Sequence, residues 1–196
     1  KEIFNITKMD ELSRNEKKYL PQKENLNTII LAATQGKEFG KLTKNIPKSL
    51  LELNKKPILD YQIDILNKSG IKDISIVSGF KKELFKIPNI KLHVNKNWEH
   101  TSSVYSLWQA KNELKETIVS YGDIIYSEKA IQALNYGSCE KEDIVILCDK
   151  SWMNDSSIRE YYTGVKCKPI NTKNKQRACT GQPRKTIEFV GFLMIP

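Results

Sequence analysis

The sequence has few of the residues from which metal and redox sites are usually built. Its 196 residues include two histidines and four cysteines, and the cysteines form no CxxC pair, which does not favour a zinc site. No apolar run approaches the ~20 residues of a bilayer-spanning helix, so we expect no membrane span. No signal peptide stands before the first apolar block, which favours the reducing cytoplasm.

Positive charge is concentrated in one stretch. The chain carries 32 lysines and arginines against 23 acidic residues, a net charge of +9. Residues 150–186 contain nine basic and two acidic residues, so the rest of the chain is nearly neutral. The accompanying Gly, Asn, Thr, Gln and Pro are typical of a solvated loop, and the alternative is a loop that holds an anionic phosphonate or pyrophosphate. A nucleic-acid surface is disfavoured because no aromatic platform accompanies the charge.

Strand and helix patterns alternate from residue 28 onward. Apolar runs predict strands at residues 28–33, 73–79, 90–94, 117–121 and 143–148, of the kind that parallel sheets bury. Helical spacing predicts helices at residues 58–66, 81–85, 104–114 and 127–134, with Val104, Leu107, Trp108 and Ala110 directed inward in the third. This order predicts an α/β fold whose mostly parallel, mixed sheet is flanked by helices.

Polar loops follow three of these strands. In a parallel sheet, ligands bind outside the carboxyl ends of the strands. There the sequence places residues 34–41, then Gly79, and finally Gly122 with Asp123. The first loop contains two glycines and two lysines, so its backbone N–H groups can approach a phosphate. Neither a GxxxxGK[ST] nor a GxGxxG motif is present, so the two commonest phosphate-binding loops are excluded.

Several ordered segments carry a resemblance to a known family. They read ILAATQG (residues 30–36), GKLTKNIPKSLL (residues 40–51), KPIL (residues 56–59) and IKDISIVSGF (residues 71–80). With Gly122 and Asp123 they resemble the nucleotidyltransferases that activate phosphorylated sugars and alcohols. VYSLW (residues 104–108) is similar to a helix of the choline-phosphate cytidylyltransferase branch, which favours CTP as donor. The resemblance implies a Rossmann-like nucleotidyltransferase fold for residues 28–196, a domain that we expect to be incomplete at its C-terminus.

The polar lead at residues 1–27 carries a second resemblance. KEIF (residues 1–4) and NEKKYLP (residues 15–21) are similar to the tail of phosphoenolpyruvate mutase, which makes the carbon–phosphorus bond. Such a fusion implies phosphonate activation, in which CTP and 2-aminoethylphosphonate give CMP-aminoethylphosphonate and pyrophosphate. Phosphocholine, a phosphorylated alcohol, is the alternative acceptor. A catalytically silent nucleotide-binding domain is the alternative from another class.

The family resemblance implies roles for individual residues. Lys48 would reach the phosphates, and Asp123 would ligate Mg²⁺, the expected cofactor. The nucleotide would contact Leu31, Ala32, Ala33, Thr34, Gln35, Gly36, Lys37, Gly79, Ser102 and Ser103. A cation and a divalent ion suit attack at the α-phosphorus, which spreads charge over the phosphoryl oxygens. Without the resemblance, the sequence indicates a solvated loop lysine at Lys48 and helix caps at Asp123, Ser102 and Ser103.

Two positions differ from the family pattern. Thr34 stands where the family has its first glycine, and Glu38 stands where it has a loop arginine. A glutamate repels a triphosphate, so either Lys37 or Lys41 replaces the arginine or Glu38 turns outward. The family's second metal-binding aspartate normally lies near the C-terminal end of the domain, so it either falls beyond Pro196 or has no match. These differences keep the silent-domain alternative open.

Overall fold

The computed structural model describes residues 26–136, 145–149 and 188–195. The basic stretch at residues 150–186 and the mutase-like segments at residues 1–21 lie outside the described residues. Within the described ranges, no helix has the length and the apolar character to cross a bilayer.

The described chain forms eight strands. They are β1 (Asn27–Ala32), β2 (Glu52–Leu53), β3 (Lys56–Pro57), β4 (Asp73–Ser78), β5 (Lys91–Val94), β6 (Thr117–Tyr121), β7 (Val145–Asp149) and β8 (Glu188–Ile195). Six of them form one sheet in the order β5-β4-β1-β6-β8-β7. β5, β4, β1 and β6 are mutually parallel, whereas β8 is antiparallel to both of its neighbours. β2 and β3 form a separate antiparallel pair.

Three α-helices in the described ranges connect these strands. They are α1 (Ile58–Lys68), α2 (Ser103–Gln109) and α3 (Glu128–Tyr136). Short 3₁₀ turns occupy Lys37–Thr43, Lys48–Leu50, Lys82–Leu84, Trp98–His100 and Lys111–Glu113. Pro57 immediately precedes α1, where its fixed φ suits the start of a helix. α1 ends two residues before Gly70. The φ of Gly70 is +84°, which is incompatible with a right-handed helix.

The core lies on both faces of the sheet. On one face, Ile30 of β1 is in register with Ile76 of β4, and both are buried in the same cluster as residues from α1 and α3. The helical members of this cluster are Leu59, Leu66, Ala130, Ile131 and Leu134. On the other face, Ile29 and Val77 pack with Ala110, next to α2. The predicted α/β fold with a mostly parallel, mixed sheet is confirmed.

The prediction for α2 is partly wrong. The helix ends at Gln109 and a short 3₁₀ turn follows it. Val104 is 76% exposed and Trp108 is 59% exposed, so neither points inward, whereas the inward placement of Ala110 is confirmed. The inward side of α2 carries Ser103 and Ser106, because this side of the helix borders a polar cleft as well as the sheet.

Candidate active site

A polar cleft lies at the carboxyl ends of β1 and β6. Its lining consists of Leu31, Ala33, Thr34, Lys48, Ser103, Ser106, Tyr121 and Asp123. The Gly122 N–H donates to the Leu31 carbonyl at 2.9 Å, which extends the pairing of β6 with β1 beyond the strand. Asp123 is thereby carried into the same cleft as the loop that follows β1.

Lys48 and Asp123, the two predicted catalytic residues, are in direct contact. The Lys48 Nζ lies 2.8 Å from Asp123 Oδ2 and 3.0 Å from Glu38 Oε1. The side chains of Lys48 and Asp123 are 22% and 25% exposed, whereas that of Glu38 is 60% exposed. One ammonium group is therefore held between an inner and an outer carboxylate.

Opposing effects set the charge states of this cluster. Burial on its own lowers the pKa of Lys48, but the hydrogen bonds to Asp123 and Glu38, and their charges, raise the pKa above its ordinary value. The pKa of Glu38 is lowered, first by a hydrogen bond from its own backbone and then, against partial burial, by Lys48. Lys48 therefore stays protonated and Glu38 ionised at neutral pH.

Gly36 makes room for the Lys48 side chain. Its φ of +84° lies in the left-handed region, and a Cβ there would stand 2.7 Å from the Lys48 Cβ and 2.8 Å from the Lys48 Cδ. The Lys48 N–H donates to the Gln35 carbonyl at 3.1 Å. The backbone and the aliphatic stem of Lys48 are therefore fixed against the loop, and only the ammonium end has a choice of partner.

Side-chain hydrogen bonds close the loop that follows β1. Gln35 Nε2 donates to the Thr43 carbonyl at 3.1 Å, and Thr43 Oγ1 donates to the Gly36 carbonyl at 2.6 Å. Lys37 points away from this closure and pairs with Glu99 at 3.0 Å on the surface. The predicted nucleotide contacts of Gln35, Gly36 and Lys37 stay predictions, and the structure adds a loop-shaping role for Gln35 and Gly36.

Gly79 lies at the end of β4 and serves a close approach of backbones. A Cβ at this position would stand 2.6 Å from both the Ala33 carbonyl oxygen and the Trp98 Cβ. The Phe80 N–H donates to the same carbonyl at 2.8 Å. Gly79 is therefore next to the loop after β1 but does not line the cleft, and Ala32 is buried in the core cluster.

The two predicted serines have different positions. Ser102 caps α2, since its Oγ accepts a hydrogen bond from the Tyr105 N–H at 3.4 Å, in agreement with the capping alternative. Ser103 is the first residue of α2 and lines the cleft. Its predicted contact with a nucleotide stays a prediction.

Asn95 binds the cleft-lining Ser106 and is not among the residues that the sequence predicts for the site. Its side chain is fully buried and donates to Thr101 Oγ1 at 2.9 Å and to Ser106 Oγ at 3.0 Å. Its Oδ1 accepts from the Asn97 N–H at 3.0 Å. Asn95 follows β5 directly, and an amide at a strand end is the signal that could have identified it. Ser106, one turn after Ser103, was missed as well.

The position of Asp123 is compatible with a role as one ligand of a magnesium ion. The described part of the chain holds no group of three or more His, Cys, Asp or Glu residues arranged for a metal ion. Mg²⁺ is commonly held by only one or two carboxylates, with substrate phosphates and water completing the octahedron. Asp123, the carboxylate that lines the cleft, is therefore compatible with an ion that arrives with a nucleotide.

Fold and cleft together define a Rossmann-like α/β domain of the nucleotidyltransferase type. Residues 28–162 match the MobA-like NTP transferase domain. The chain belongs to this family.

Several curated relatives of the chain are cytidylyltransferases. It is 34% identical over 139 residues to the CTP:phosphoglutamine cytidylyltransferase of Campylobacter jejuni, across 65% of this chain and 54% of the relative. It is 36% identical over 102 residues to a Streptococcus pneumoniae choline-phosphate cytidylyltransferase (50% and 44%), and 30% identical over 115 residues to a Lancefieldella rimae 2-aminoethylphosphonate cytidylyltransferase (55% and 47%). The chain thus spans about half the length of these relatives.

Solved structures share the fold at lower identity. The inositol-1-phosphate CTP transferase from T. maritima superposes with a TM-score of 0.66 at 18% identity, covering 89% of this chain and 72% of that one. The CTP:phosphocholine cytidylyltransferase of Streptococcus pneumoniae superposes with a TM-score of 0.53 at 21% identity, covering 87% and 68%. These likenesses establish the nucleotidyltransferase fold.

Proposed function

We propose that the chain is the nucleotidyltransferase part of a cytidylyltransferase, which transfers CMP from CTP to a small phosphorylated or phosphonate acceptor. The observation that carries this proposal is the 2.8 Å contact between Lys48 and Asp123 in a cleft at the strand ends. The three cytidylyltransferases named above support CTP as the donor.

The proposed reaction is a displacement at the α-phosphorus. An anionic oxygen of the acceptor forms the new P–O bond, and the bond to the β-phosphate breaks, so that pyrophosphate leaves with the electron pair. The acceptor oxygen is already ionised near neutral pH, so no general base is needed. Lys48 would stabilise the charge that develops on the phosphoryl oxygens. A magnesium ion held by Asp123 would neutralise phosphate charge.

We further propose 2-aminoethylphosphonate as the acceptor. The support is the mutase-like lead at residues 1–21, because a mutase supplies the carbon–phosphorus bond, together with the 2-aminoethylphosphonate cytidylyltransferase among the relatives. Phosphocholine and phosphoglutamine are the competing acceptors, since relatives that act on each of them match a similar part of the chain.

The test is pyrophosphate release from CTP and Mg²⁺ with each of the three acceptors in turn. We expect acceptor-dependent release, fastest with 2-aminoethylphosphonate, and a parallel reaction without acceptor gives the hydrolysis background. Faster release with phosphocholine or phosphoglutamine would overturn the acceptor and leave the reaction class standing. CTP binding without release for any acceptor would instead indicate the silent domain.

A further inference from the structure

Lys48 contacts two carboxylates that differ in their access to solvent. Asp123 is the inner partner at 2.8 Å, and Glu38 is the outer partner at 3.0 Å, with a side chain that is mostly exposed. Gly36 and the Gln35 carbonyl hold the stem and the backbone of Lys48. A ligand that enters from solvent therefore meets a fixed lysine whose ammonium group is already in contact with Glu38.

The local charge balance opposes an anionic ligand. One ammonium and two carboxylates carry a net charge of −1, because Lys48 is protonated and both partners are acidic. An ammonium group has three N–H donors, and Glu38 and Asp123 engage two of them. A polyphosphate that binds Lys48 through more than one oxygen therefore takes over the position of a carboxylate oxygen. Glu38 is the partner that can yield, because it lies on the exposed 3₁₀ turn Lys37–Thr43, whereas Asp123 is mostly buried at the end of β6.

We propose that Glu38 competes with the nucleotide for Lys48 and thereby sets the affinity of the cleft for polyphosphates. The proposal rests on the proposed function, since it takes CTP as the ligand. Glu38 is a positioning residue, because it acts through Lys48. When the polyphosphate arrives, the Glu38 carboxylate leaves the ammonium and turns to solvent.

This competition has a defined thermodynamic form. A ligand that needs a free ammonium group binds only the molecules in which Lys48 is released from Glu38. Its apparent affinity is therefore its intrinsic affinity multiplied by the fraction of such molecules. The reduction is the same for CTP and for pyrophosphate, since both engage the lysine. Cytidine carries no phosphate, so its affinity does not depend on Glu38.

The deciding experiment measures binding of CTP, pyrophosphate and cytidine to the full chain by calorimetry with the variant Glu38→Gln. The matched control is Glu99→Gln, because Glu99 also carries one negative charge and pairs with a lysine of the same turn at 3.0 Å, but not with Lys48. We expect Glu38→Gln to bind CTP and pyrophosphate about fivefold more tightly, as the loss of a partly exposed ion pair implies. Glu99→Gln should change either affinity less than twofold, and cytidine binding should stay constant.

A double-mutant cycle shows whether the effect passes through Lys48. In a Lys48→Ala background, adding Glu38→Gln should tighten CTP binding by no more than adding Glu99→Gln. An equal fivefold gain without the lysine would assign the effect to general repulsion and overturn the proposal. Thermal unfolding of each variant confirms that the loop substitutions leave the fold intact.

The outcomes separate this proposal from the function on which it rests. If the unaltered chain binds CTP and Glu38→Gln binds it no more tightly than Glu99→Gln, the competition is wrong and the cytidylyltransferase proposal stands. If the unaltered chain binds neither CTP nor pyrophosphate, both proposals fail.

Discussion

Two clusters of ion pairs lie at opposite ends of the same parallel strands. At the carboxyl ends, Lys48 lies between Glu38 and Asp123 in a cleft. At the amino ends, Asp73 of β4 pairs with Lys115 at 2.9 Å and with Lys91 at 3.5 Å. Both clusters contain acidic and basic side chains at similar distances, so charge pairing alone does not distinguish a site from a surface.

The surroundings of the two clusters differ. Lys91 and Lys115 are exposed side chains on the surface, where water competes for every partner and the pairs are worth little. Lys48 is mostly buried, its stem is fixed, and the cleft beside it is walled by the loop after β1 and by Ser103 and Ser106 of α2. We infer that backbone placement, rather than the number of charges, makes the carboxyl end a cleft that can hold a ligand.

Removal of a charge at each end should give the largest contrast. Lys48→Ala and Asp123→Asn should each lower the turnover number for CMP transfer about 10²- to 10³-fold, the usual loss when one electrostatic contact to a transition state is removed. Lys115→Ala and Asp73→Asn, their counterparts at the amino ends, should stay within about twofold. The measurement is pyrophosphate release at saturating CTP. Equal losses in both pairs would remove the distinction between the two ends.

Gly36 offers the second test, with Gly70 as its control. Both have a φ of +84°, but a Cβ at Gly70 meets nothing within 4 Å, whereas one at Gly36 meets the Lys48 stem. An alanine at either site should lower the free energy of unfolding by about 1 kcal/mol, because alanine disfavours a positive φ. Gly36→Ala should in addition lower turnover about tenfold by displacing Lys48. Urea denaturation and turnover together separate the two effects, and unchanged turnover in Gly36→Ala would show that the stem is not held there.

The third test compares two buried asparagines. Asn27 donates to the Glu113 carbonyl at 2.7 Å at the amino ends, and Asn95 donates to Thr101 and Ser106 beside the cleft. Replacing either by alanine should cost about 2 kcal/mol of unfolding free energy, because buried partners lose their hydrogen bonds. Only Asn95→Ala should raise the KM for CTP, by about fivefold. A raised KM in Asn27→Ala as well would indicate a general loosening of the sheet.

The smallest expected effect concerns pH and Asp73. The hydrogen bond from Lys115, against partial burial, and the charges of Lys115 and Lys91 lower the pKa of Asp73. A lowered pKa means that Asp73 stabilises the fold above its ordinary pKa of about 4 and that this contribution is lost as the pH falls through the folded value. Asp73→Asn should therefore cost up to ~0.5 kcal/mol at pH 7 and nothing near pH 2. Thermal unfolding at both values checks this, and a difference that persists in acid would contradict it.

Local patterns in the sequence were sufficient for most of the fold. The apolar runs of β1, β4 and β6 predict buried parallel strands because no polar face interrupts them. The pattern predicts that Val104 and Trp108 of α2 point inward, since the large apolar residues of a helix normally mark its inward face. Both residues are exposed in the structure. The serines on the inward side of α2 border a cleft, and the spacing of apolar residues does not distinguish a cleft from solvent.

The candidate site was predictable in its parts and not in its contacts. Lys48 and Asp123 could be selected because each lies in an ordered motif. The contact of Glu38 with Lys48 could not be foreseen, since it depends on the left-handed Gly36 and on the path of the following 3₁₀ turn. Asn95 is a single amide without a motif, so its three hydrogen bonds appear only in three dimensions.

The position of β8 has a consequence for the order in which the sheet can assemble. β8 lies between β6 and β7 and pairs with both, although both precede it in the chain. During synthesis the four parallel strands can therefore pair first, while the outer edge of β6 stays unpaired until residues 188–195 emerge from the ribosome. The strand that carries Asp123 to the cleft thus receives its second neighbour last, and newly made chains depend on that closure to protect an apolar edge from other chains.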